Sequence, residues 1–172
     1  MIVGAAVLVG VVTWFVTSSN RDGGNPILGS ASGDARMVES GEMAKATDEV
    51  GHSFFWAGER PGTKIELRHD EVGNTHVRYL TGDAQPGEPA QSFLDIGTYP
   101  FDGAREATRK LAGRQGLKRV RVGDAIGFFD PKRPTSVFLV FPDRPDYQVE
   151  IYHPDGDGAL DVAMSGDIVP MP

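Results

Sequence analysis

The sequence predicts an α+β domain, a mostly antiparallel β-sheet packed against one helix, preceded by an N-terminal transmembrane helix and a linker. Three observations predict it. Residues Ile2 to Thr17, IVGAAVLVGVVTWFVT, carry no charge and only two threonines, the composition of a membrane-crossing segment. From residue 53 onward, short runs rich in β-branched and aromatic residues alternate with Gly, Pro and Asp, the punctuation of strands and turns. One stretch alone, around Ala104 to Ala112, reads clearly as a helix. The strand–helix alternation of a doubly wound fold is absent.

Composition bounds the rest. A chain of 172 residues holds one domain with accessory segments, and 22 Gly and 12 Pro imply many turns. There is no cysteine, which excludes disulfides, thiolate metal sites, a cysteine nucleophile and a lipid-modified cysteine anchor. The net charge of −7 lies wholly after residue 20, so no nucleic-acid partner is expected, because a basic footprint supplies most of that affinity.

The anchor is read over residues 1–18. At 1.5 Å per residue it spans ~24–27 Å as a helix, near the lower limit for crossing hydrocarbon. Trp14 and Phe15 sit near one end, where aromatic rings favour the interface. A cleaved signal peptide would have a basic stretch before Ile2 and a small-x-small cleavage site, and neither is visible. A soluble core helix fits poorly with Gly4, Gly10 and the β-branched run. Counted literally, Arg21, Arg36 and Lys45 would hold the C-terminal side in the cytoplasm, but Asp22, Asp34 and Glu39 are mixed among them. The chain also opens directly on apolar sequence, as expected if basic residues precede it. The soluble domain is therefore expected outside the cytoplasm, on a single-pass membrane protein.

Residues 19–51, rich in Ser, Gly, Ala and acids, read as a flexible linker. If fully flexible it would reach ~30 Å. A short amphipathic turn fits Met37 to Met43, although Gly41 weakens it. The domain is expected over residues 52–172. SFFWA (53–57) predicts a strand ended by the turn GERPG. KIELRH (64–69) and THVRYL (75–80), joined by DEVGN, predict a hairpin. Pairing Ile65 with Tyr79 and Leu67 with Val77 puts the apolar residues on one face and sets Glu66 opposite Arg78 on the other. SFLDIGTY (92–99) predicts the next strand. Asp102 is the expected N-cap of the helix, Ala104, Ala107, Leu111 and Ala112 its apolar stripe, and Gly116 its left-handed C-terminal cap. LKRVRV, AIGFF, SVFLVF and YQVEIY predict four more strands. Val137 to Phe141 should be buried on both faces, and YQVEIY half-exposed. ALDVAM and DIVP are expected as edge strands.

These elements carry several candidate chemistries. Of the four histidines, His69 and His76 flank the hairpin turn. The register sends them to opposite faces, which argues against a shared metal ion. HPDGDGALDVAM (153–164) aligns with a twelve-residue calcium loop at Asp155, Asp157, Gly158, Leu160 and Asp161. It lacks the first acid, where His153 stands, and the bidentate Glu, where Met164 stands, and DGDG is also ordinary turn chemistry. Calcium is the weak alternative, and otherwise no cofactor is expected. No serine has a nucleophile-elbow setting, and no glycine-rich turn has the strand–glycines–helix context of a phosphate cradle. Catalytic residues are not identified. Between Arg105 and Arg121 stand seven basic residues and one acid, whereas from Asp130 onward stand eight acids and three bases. Such a basic stretch suits anionic lipid headgroups or an acidic wall polymer, and equally the solvated faces of a helix and a strand.

The run FFWAGERPGTKIELR, followed by HVRYLTG, IGTYP, SVFLVFP and YQVEIYHP, resembles a pattern in uncharacterised bacterial single-pass membrane-anchored proteins. The resemblance covers the last 120 residues or so on a segmental reading. It implies a tethered extracytoplasmic domain and no activity, cofactor or catalytic residue. The function expected is that of a binding or protein-interaction module, its partner an envelope protein or wall polymer. A recognition surface is expected around Trp56, Arg60, Tyr79 and Tyr99, where aromatics lie close to turns. The alternatives are an envelope hydrolase whose site assembles only in three dimensions, and a structural subunit of a membrane assembly.

Overall fold

A computed structural model describes residues 35–88 and 92–171. The anchor reading of residues 1–18, and the linker reading up to residue 34, lie outside the described residues. Among the described residues no helix is long and apolar enough to cross a membrane.

In chain order the elements are β1 (Arg36–Val38), a 3-10 turn (Ser40–Glu42), α1 (Met43–Val50), β2 (Phe55–Trp56), β3 (Thr63–His69), β4 (Thr75–Thr81) and β5 (Leu94–Pro100). They continue with α2 (Ala104–Ala112), β6 (Lys118–Val122), β7 (Ala125–Asp130), β8 (Arg133–Val140), β9 (Tyr147–Tyr152), α3 (Gly158–Met164) and β10 (Val169–Pro170). Eight strands form one sheet in the order β1-β3-β4-β5-β9-β8-β7-β6, and β10 pairs with β2. Every pairing is antiparallel. Helix α2 connects β5 to the far edge strand β6, and the chain then meanders back until β9 lies beside β5.

The β3–β4 hairpin has the register that its side chains dictate: Ile65 faces Tyr79, Leu67 faces Val77, and Glu66 faces Arg78. Strand alternation carries that choice across the sheet. One face collects Ile65, Leu67, Val77, Ile96, Val137, Leu139, Val149 and Ile151 into a single apolar core. Met43 and Ala46 of α1, Phe55 of β2, and Ala159, Val162 and Ala163 of α3 complete that core. The other face carries α2 beside β7, β8 and β9. There Gln148 donates to Thr108 of α2 at 2.8 Å, and the Phe128 and Phe138 rings stack 5.1 Å apart.

Several expectations need correction. The stretch read as linker is folded from residue 36 onward: β1 pairs with β3, and α1 buries Met43, Ala46 and Thr47. Its Ser, Gly and acid content hides an i, i+3 apolar repeat too short to stand out, and Gly51, at φ 80°, stops the helix. Among the described residues three helices, rather than one, flank the sheet. ALDVAM belongs to α3 and is not an edge strand, because Ala159, Val162 and Ala163 fall on one helical face that the core buries. Gly103, not Asp102, takes the N-cap position of α2, and its N–H is satisfied by Asp146 at 3.3 Å. Gly113 ends α2, while left-handed Gly116, at φ 92°, serves the turn into β6. YQVEIY is buried from Gln148 to Tyr152, since β9 sits between β5 and β8 with cover on both faces. The continuous burial of Val137 to Val140 and the short DIVP strand agree with expectation, whereas Phe141 lies past the end of β8 and is half-buried.

Candidate functional site

The second face of β3, β4, β5 and β9 is polar where a core would ordinarily be apolar. Register arranges its side chains in two rows. Arg68, His76, Gly97 and Glu150 lie along one, and Glu66, Arg78, Asp95 and Tyr152 along the next. Glu66, Arg78, Asp95, His76 and Glu150 are all buried. Ions in such surroundings must be paired and hydrogen-bonded to be tolerated.

The pairing is nearly complete. Arg78 Nη1 donates to Glu66 Oε1 at 2.7 Å, and its Nη2 donates to the Glu88 carbonyl at 2.7 Å. The Gly87 N–H donates to Glu66 Oε2 at 2.9 Å, so the turn after β4 is laced onto this ion pair. Phe93 lies under the Arg78 guanidinium at 5.4 Å. In the neighbouring row His76 Nδ1 stands 3.0 Å from Asp95 Oδ2. Tyr99 donates from its hydroxyl to Glu150 Oε2 at 3.0 Å, and its ring meets the His76 ring edge-on at 5.6 Å.

Gly97 makes that last contact feasible. A Cβ there would stand 2.7 Å from the Tyr99 hydroxyl and 3.0 Å from the ring. The tyrosine folds back across the gap that glycine leaves in β5 and reaches the carboxylate of β9.

Electrostatics follow from this crowding. Burial opposes charge on His76, but the Asp95 carboxylate and its hydrogen bond, with Glu150 beyond, outweigh it and raise the pKa above 6.5. Burial raises Glu150, and hydrogen bonds from Ser136 and Tyr99 offset part of that rise. Burial and the nearby Glu150 and Asp95 push the Tyr99 phenol well up and raise Tyr152 in the same direction. A histidine–aspartate pair beside a second carboxylate is the apparatus of general acid–base chemistry. Here its side chains are only 9% and 2% exposed, so the arrangement serves first as a charged core.

The second feature is a basic end of the sheet. Helix α2 carries Arg105, Arg109 and Lys110, the following turn Arg114, and β6 Lys118, Arg119 and Arg121. All but Arg105 are exposed. Arg109 pairs with Glu106 one turn earlier. This end lies at the edge opposite β1, seven strand positions and ~34 Å across at ordinary strand spacing.

The residues expected to form a recognition surface are divided between the faces. Tyr79 is core: its hydroxyl accepts from Ala57 N at 2.7 Å and donates to the Gly58 carbonyl at 3.1 Å, and burial raises its pKa to about 12. Arg60 lies 5.9 Å over the Tyr79 ring and 3.7 Å from Asp167. Trp56 pairs with Val169 and rests half-buried against the same core. Tyr99 is on the opposite face, with Glu150. Asp155 is 90% exposed, Asp157 precedes α3, and Asp161 lies in its first turn. Among the described residues no three His, Asp or Glu side chains are placed to hold a metal. His69 and His76 do lie on opposite faces.

Sequence reasoning missed the His76–Asp95–Tyr99–Glu150 cluster. Its one local signal was Gly97 in the middle of a strand, the mark of a close approach. No known protein family, curated protein or solved structure matches this chain.

Proposed function

We propose that this chain is a membrane-tethered binding module, held outside the cytoplasm by its N-terminal apolar segment and engaging an envelope protein or wall polymer. One observation carries the reading. In a chain of net charge −7, six exposed cations gather on α2, the following turn and β6, at one end of the sheet. A concentrated field of the sign opposite to the whole molecule favours oriented capture of an anionic partner. The described residues expose four large apolar side chains: Met37 in β1, Val72 in the β3–β4 turn, Met164 in α3 and Val169 in β10. That scatter favours capture through charge over permanent docking as an assembly subunit.

Crosslinking the full chain in its native membrane, followed by mass spectrometry, tests the proposal. The expected result is a discrete adduct that disappears in Arg114→Gln/Arg119→Gln/Arg121→Gln. An adduct pattern indifferent to these exposed substitutions refutes the assignment.

A second reading, an envelope hydrolase, is favoured by the His76–Asp95 pair at 3.0 Å. It requires the pair to become accessible. Turnover of wall fragments by the full chain, lost in His76→Gln, would establish it, and no turnover by the unaltered chain would remove it.

A further inference from the structure

Strand β6 is the last strand of the main sheet, and among the described residues its one partner is β7. Its outer edge, which no described strand pairs, offers N–H and C=O groups over five residues, ~17 Å of template. Its exposed cations also lack partners across the sheet. Lys118 faces Phe129, Arg119 faces Phe128 and Arg121 faces Ile126, all apolar. None of the three forms an ion pair with a described residue. Cross-strand countercharge for β6 is thus absent on the inner side, and an added outer strand is where it would come from. The other edge differs: β1 has three residues, and Arg36 there is bound to Glu49.

We infer that β6 takes up an extended acidic segment of a protein partner as an additional strand of the sheet. The inference rests on the interaction-module reading and names the partner's chemistry and its mode of binding. The acidic side chains lie beside Arg119 and Arg121 on the α2 face, and the alternate residues lie beside Val120 and Val122 on the core face. Main-chain bonds supply affinity and the charges supply selection and register. The same cations repel β6 of a second copy, so the open edge is guarded against self-pairing while remaining receptive to an acidic strand. Val120, buried beneath this edge, holds β6 in place without the partner.

The test uses the full chain in neutral detergent and a short synthetic peptide alternating Glu with Val. Binding is expected, with slowed amide exchange confined to residues 118–122. Arg119→Gln/Arg121→Gln should weaken it about tenfold at unchanged unfolding midpoint, since both side chains are exposed. N-methylation of alternate peptide residues keeps every charge but removes the main-chain donors, and should abolish binding. Equal binding of the methylated peptide would overturn the added strand and leave a purely electrostatic module. Arginine-dependent binding of phosphatidylglycerol vesicles with none of the peptide would overturn the protein partner in favour of a lipid surface. If neither probe binds, the inference and the assignment of function to the basic end fall together.

Discussion

Replacing Arg78 by methionine removes one member of an ion pair whose side chains are 1% and 0% exposed. Breaking such a pair ordinarily costs ~3–5 kcal/mol, because the remaining charge is left buried. The two partners should not be equally costly here. Without Arg78, Glu66 keeps the Gly87 N–H at 2.9 Å and Arg68 Nε at 3.9 Å, which places Arg78→Met near ~3 kcal/mol. Without Glu66, Arg78 keeps one neutral acceptor, the Glu88 carbonyl at 2.7 Å, and loses its hydrogen-bonded carboxylate, so Glu66→Leu belongs near ~5 kcal/mol. A domain stability of ~5–15 kcal/mol makes either loss a large fraction of the total. The double replacement removes both charges and should recover most of the cost, with a coupling of ~2 kcal/mol or more. The assay is urea unfolding of the four proteins, with hydrogen exchange over residues 82–88, where the backbone bonds to Glu66 and Arg78 would be lost. A loss under ~1 kcal/mol for Arg78→Met, or a double variant no better than the sum of the singles, would refute the buried-pair account.

Other expectations follow from the same geometry. Gly97→Ala should displace Tyr99 from Glu150 and cost ~1–3 kcal/mol in thermal unfolding, whereas the same change made in a Tyr99→Ala background should be nearly silent. Met43→Ala should cost ~2–5 kcal/mol although it lies in a stretch of linker-like composition, and a version beginning at residue 52 should fail to fold cooperatively. His76 has its folded pKa raised above 6.5. Its contribution is therefore complete below pH 6.5 and lost as pH rises through the folded value. A pH series of unfolding midpoints should decline above 6.5, and His76→Gln should flatten that decline. Glu150, also raised, has the same sign from its ordinary value of 4.5 upward. Glu150→Gln should raise the midpoint at neutral pH, and the gain should vanish under acid conditions.

Much of the sheet was legible because it is written in local alternation. The period of two in KIELRH and THVRYL, with Glu66 and Arg78 as a charge check, selects one register, and the structure has it. The apolar stripe of α2 was legible for the same reason at a different period. Elements of few residues were misread. Helix α1 and strand β1 are short and share their composition with linkers, so tertiary burial of Val38, Met43 and Ala46 decides them. In α3, ALDVAM fits a strand and a helix about equally, and the core settles it by accepting Ala159, Val162 and Ala163 from one side. The cap of α2 was misplaced by one residue because Asp146, distant in sequence, supplies the acceptor.

The sequence by itself determined the strand pattern, the hairpin register, the acidic net charge and the concentration of cations between Arg105 and Arg121. These are properties of neighbours along the chain, where side-chain alternation and charge can be counted. Only the tertiary structure decided that Glu66 and Arg78 are buried, that His76, Asp95, Tyr99 and Glu150 converge, and that Lys118, Arg119 and Arg121 lie on an edge strand. Those facts depend on which strands become adjacent, β9 beside β5 and β6 at the margin. Adjacency of that kind is set by long-range burial of the whole apolar face, to which no single segment holds the key.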